Sequence, residues 1–95
     1  MDILARINFL EVNDENWNAK YVSGFRSNIN YGASNYCCLV AFEEDREIKQ
    51  GETIDCELSF LTHEPHIGKL AKGMEFILFS GSVTFAKGIV NFVSE

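Results

Sequence analysis

The chain has 95 residues, with fourteen Asp and Glu against eight Lys and Arg, a formal net charge of −6 and a pI near 4.8. That length supports one domain spanning 1–95, and an apolar content of 46% excludes a chain too polar to collapse. The acidity disfavours nucleic acid and anionic membranes as partners, because long-range repulsion opposes their approach, and no three Lys or Arg residues cluster.

The first element is ILARINFLEV. It places Ile3, Ala5, Ile7 and Phe9 on one face and Arg6 and Asn8 on the other, the period-two pattern of a strand buried on one side. Its apolar run is too short and too charged for a signal peptide. No later run reaches membrane-spanning length, and the chain reads as cytoplasmic. The polar stretch VNDENWNAK then predicts a loop around Trp17. A short strand is expected at Ile29 to Tyr31.

CCLVAF, residues 37 to 42, is apolar on both sides, as in a strand covered on both faces. The acidic EEDRE and the Gln50-Gly51 step mark turns before TIDCELSFL. There Ile54, Cys56, Leu58 and Phe60 share one face, and Asp55, Glu57 and Ser59 the other. After the loop THEPHIGKLAKG come MEFILF, the Ser80-Gly81-Ser82 elbow and VTFAKGIVNFV. This last hairpin carries almost no charge, which suits a hairpin that closes a barrel. Gly88 within it suggests a bulge or a tight bend where a side chain would obstruct. Short strands separated by turns, with no sustained helical period, indicate an all-β barrel or sandwich.

Three cysteines in no framework of spacings argue against a disulfide scaffold. Cys37, Cys38 and Cys56 read as small apolar side chains, with Cys37 and Cys38 on opposite faces of one strand. His63-Glu64-Pro65-His66 is the most site-like cluster. Pro65 breaks a helix and no further ligand lies near, so the cluster reads as a loop rather than a metal site. No nucleophile, base or metal set assembles, no Walker A pattern occurs, and the expectation is a protein with neither catalysis, cofactor nor nucleotide site.

The candidate interaction residues fall in two places. Trp17, the lone tryptophan, is either a plug beneath the barrel end or an anchor for a partner. Tyr21, Phe25 and Arg26 follow it, so one rim could present aromatics with a guanidinium. Glu43, Glu44 and Asp45 form an acidic turn that could dock a basic partner.

The order of these pieces resembles the C-terminal β-barrel of elongation factor Tu and its relatives, along nearly the whole chain. ARINFL is similar to the family's opening strand. In SGFR, Gly24, Phe25 and Arg26 match the Gly-aromatic-Arg turn, with Ser27 in the usual proline's place. Gly51 and Glu52 match the turn before an alternating strand, with Gln50 where proline is usual. Gly73 and Phe76 match a Gly-x-x-Phe strand, and Gly81, Thr84, Gly88 and Val90 match the final hairpin. The resemblance implies a closed antiparallel, Greek-key-like barrel of about six strands. Phe79 and Val83 stand where the family keeps arginines, and Glu15 to Ala19 replaces a basic loop used near transfer RNA. These changes lower the expected affinity for RNA. The leading expectation is therefore a non-enzymatic protein-binding module, small and acidic enough to neutralise a toxin as an immunity protein or decoy. The alternative is a factor that binds transfer RNA or acts with the translation machinery.

Overall fold

A computed structural model of the chain describes residues 3–13, 17, 20–32, 34–43, 47–61 and 70–94. It contains strands β1 (Ile3–Phe9), β2 (Phe25–Tyr31), β3 (Ser34–Ala41), β4 (Thr53–Phe60), β5 (Glu75–Ser80) and β6 (Val83–Val93). They form a closed antiparallel barrel in the order β1-β4-β3-β2-β5-β6, with β6 returning to β1. In β2-β3-β4 each strand lies beside the next, while β1 crosses over to pair with β4, which is a Greek-key path. Among the described residues, closure leaves no edge strand to recruit another chain.

Alternation carries the fold. Ile3, Ala5, Ile7 and Phe9 point into the core, as do Cys56, Leu58 and Phe60 on β4. Ile29, Cys38, Val40, Leu78 and Val90 complete the middle of the barrel. Aromatic clusters fill both ends. Phe9, Tyr21, Phe25 and Phe85 pack at one end. At the other, Tyr31 stacks on Tyr36 with ring centroids 5.2 Å apart and meets Phe60 edge-on.

The last hairpin closes the barrel as its composition suggests, since β5 pairs with β2 and β6 with β1. Its turn is Gly81-Ser82, with Gly81 at φ 56° and Ser80 opposite Val83, the II′ pattern that matches strand twist.

Three expectations need correction. β2 begins at Phe25, so Phe25 and Arg26 belong to a strand, and the turn lies before them, where the Phe25 N–H donates to the Val22 carbonyl at 3.1 Å. The run 37–42 is not covered on both faces among the described residues. Leu39 is 38% exposed, because a single closed barrel buries only inward positions such as Cys38 and Val40. Of the two readings of Gly88 the bulge is overturned, for it pairs in register with both Ile7 and Phe76, while the expectation that a side chain would obstruct there holds. Its lack of a side chain leaves room for the Phe76 ring, whose nearest carbon would lie 2.2 Å from an added Cβ. The bulges of β6 fall elsewhere. Phe85 is the extra residue opposite Leu78 and Phe79, and Asn91 is the extra residue opposite Leu4 and Ala5.

Candidate functional site

The two stretches singled out in the sequence meet at one end of the barrel. The β1–β2 connection is tied to the end of β3 and to the β3–β4 connection at several points. The Ile48 N–H donates to the Tyr21 carbonyl at 2.8 Å, and the Gly24 N–H donates to the Val40 carbonyl at 2.8 Å. The Ser23 hydroxyl donates to the Phe42 carbonyl and accepts from the Phe42 N–H, each at 3.0 Å. Serine suits this place because one Oγ can donate and accept at once. Val22 is 52% exposed on this surface, beside Ser23, and Glu43 projects from the next connection after Phe42.

The aromatics here face inward. Tyr21 is only 2% exposed, and its ring lies 4.8 Å from Phe9 and 5.3 Å from Phe85. Burial raises its hydroxyl's pKa, partly offset by the bond it accepts from Trp17 Nε1 at 3.1 Å. Trp17 is half-buried and stacks on Phe85 at 5.6 Å. Phe25 is half-buried against Phe9 and Phe85. Tyr21 is thus part of the plug rather than a presented side chain, because a closed barrel end must fill its own mouth. Arg26 is exposed on the outer face of β2, opposite Leu39. It borders a cleft of about 260 Å³ between β2 and β5, where the Cys37 thiol donates to Asn28 Oδ1 at 3.4 Å.

Glu43 lines a different depression, of about 450 Å³, with Asp55 and Glu57 of β4 and with Arg6 of β1. Arg6 Nε donates to Asp55 Oδ1 at 3.1 Å, and both side chains are mostly exposed. Asp55 and Glu57 were legible in the sequence only as the wet face of an alternating strand. What the sequence does not show is that pairing of β4 with β3 and β1 sets them beside Glu43. Glu44, Asp45 and the His63–His66 cluster lie outside the described residues.

The thiols bear on chemistry. Burial pushes Cys38 and Cys56 from 9.0 up to about 12, with Cys37 and Asp55 respectively adding a smaller upward effect. Both side chains are therefore held as neutral thiols, the wrong state for a nucleophile. No group of three or more His, Cys, Asp or Glu among the described residues is placed to hold a metal ion. Nor is any helix among them long and apolar enough to cross a membrane. No protein-family model and no curated protein matches the chain.

Proposed function

We propose that the chain is a non-enzymatic protein-binding module, built on a barrel of the elongation factor Tu C-terminal type, that engages a basic protein surface. The observation that carries this reading is that the Ser23–Phe42 hydrogen bonds join the connection carrying exposed Val22 to the one carrying Glu43, which in turn shares a depression with Asp55 and Glu57. An exposed apolar side chain with carboxylates on the adjoining surface suits a partner that brings Lys or Arg to an apolar contact. Arg6 offsets only part of the acidity, since it is engaged with Asp55. A net charge of −6 steers a basic partner toward the chain and an RNA phosphate backbone away. Size and charge suit the neutralisation of a basic toxin, as an immunity protein or decoy.

The test is recovery of the partner on the tagged chain from its own cytosol with and without ribonuclease, followed by titration of the purified pair. A stoichiometric protein that survives ribonuclease, and whose affinity falls at least about tenfold with Glu43→Lys and with Val22→Asp, is the expected result. Transfer RNA as the main, ribonuclease-sensitive partner, with affinity falling steeply as salt rises, would replace this reading with the translation one.

A further inference from the structure

The ladder between β2 and β5 is short, and the place where it stops carries unused donors. The Leu61 N–H donates to the Cys37 carbonyl at 3.2 Å, so odd-numbered residues of β3 bond toward β4 and even-numbered ones toward β2. It follows that Ser27 and Ile29 of β2 bond to β3, while Arg26, Asn28 and Asn30 aim their N–H and C=O groups at β5. Asn28 and Asn30 find Phe79 and Ile77 there. The next place falls opposite Gly81, where the hairpin has already turned, and the Arg26 peptide groups have no ladder partner among the described residues. Gly24, two residues back, is already bonded to Val40 of β3. Beside Arg26 opens the cleft of about 260 Å³ between β2 and β5. The exposed Arg26 guanidinium stands over it, outside the Arg6–Asp55 ion pair. Half-buried Phe79 and almost fully buried Phe85 give it an apolar wall and floor. No carboxylate among the described residues lines it.

We propose that this cleft binds the C-terminal residue of a peptide, that is, an N-acylated apolar amino acid with a free carboxylate. A strand residue that offers both N–H and C=O to one side is matched by another extended backbone, as when a segment adds to a sheet. One residue of β2 is open, so one residue of the ligand can pair, and a chain that ends there forgoes no further bonds. The ligand's N–H donates to the Arg26 carbonyl. One carboxylate oxygen accepts from the Arg26 N–H and the other from its guanidinium, a charge-assisted pair of bonds. The ligand's side chain packs against Phe79 and Phe85. The net charge of −6 repels a polyanion in proportion to its charge, so a single carboxylate is accepted where a nucleic acid is not. The cleft opens on the β5 side of β2, away from the β3–β4 connection, and the proposal does not depend on the reading given for that connection.

The test is an amide NMR titration of the full, isotope-labelled chain with N-acetyl-phenylalanine, with N-acetyl-phenylalaninamide, and with a short peptide ending in phenylalanine. The acid and the peptide should both move the Arg26 and Ser80 amide signals below about 10 mM, a range that captures weak binding. The amide should bind at least about tenfold more weakly, because it lacks the charge that Arg26 meets. Arg26→Gln should weaken the acid by about the same factor, roughly the effect of losing a charge-assisted bond. Arg6→Gln, which removes an arginine that does not line this cleft, should leave the affinity unchanged. Both arginines are exposed, and circular dichroism of each variant separates loss of binding from loss of fold. No shift at Arg26, equal binding of acid and amide, or a folded Arg26→Gln variant of unaltered affinity would overturn the proposal. Binding of the acid without the peptide would overturn it too, since the cleft would then take free acids and not chain ends.

Discussion

The Phe76 ring fills the volume that a side chain at position 88 would need, with three of its carbons within 2.8 Å of the place an added Cβ would take. Gly88→Ala should therefore destabilise the barrel by about 1–3 kcal/mol, as overpacking of a tight core does. Urea denaturation measures this, and Phe76→Leu in the Gly88→Ala background should recover part of the loss because the two sites couple directly. The buried thiols give a second expectation at this scale. Cys38 and Cys56 are raised from 9.0 to about 12 and Tyr31 from 10.0 to about 12, chiefly by burial. Above pH 9 the unfolded chain begins to release these protons while the folded chain keeps them, so the unfolded state gains. Stability arising from these groups is intact below pH 9 and falls as pH climbs from 9 toward 12. A urea midpoint that falls over that range, less steeply in Cys38→Ala, is the expected outcome.

Strands and connections differ in how much of them could be read in advance. β1 and β4 were legible because their alternation is strict and one face is wet, so a pattern of period two has one reading. β2 was foreseen only from Ile29, because Gly24-Phe25-Arg26 was read as a turn by resemblance and the pairing of Phe25 with Val40 is a long-range fact. A bulge in β6 was expected at Gly88, but the actual positions, Phe85 and Asn91, could not be read for the same reason: each is defined by a neighbouring strand, not by the residues that form it. Phe85 shows the consequence. Its position as the hub under Trp17 and Tyr21 follows from the bulge that makes Phe85 and Ala86 both point inward. The candidate surface was half legible. Its two loops could be named from composition, but their union through Ser23 and Phe42 could not.

From that geometry, Trp17→Ala should cost about 2–3 kcal/mol, less than for a fully buried aromatic, since the ring is half-covered and also loses its bond to Tyr21. Thermal melting measures this. A change within experimental error would return Trp17 to the surface as a partner anchor.

For the molecule as a whole, the path of the chain sets the kinetics. β1 finds its neighbours in β4 and β6, so closure waits on segments far apart in sequence. Folding should take milliseconds to seconds, as for other barrels dominated by non-local pairing. Stopped-flow refolding followed by Trp17 fluorescence tests this directly, since the indole lies against Phe85 only when the barrel end has formed. A microsecond phase carrying the full amplitude would contradict it.

The same closure has a consequence for engineering. Ile3 stands opposite Val93 on neighbouring strands. The two extremities of the described fold are thus close enough for a few residues to bridge, and new termini could be cut at the Gly81-Ser82 turn, where the backbone is exposed. A circular permutant made in that way should keep the barrel. It also means that the whole unit could be threaded into a surface loop of another protein, entering and leaving at nearly one point, without asking the host to open more than a gap one strand wide.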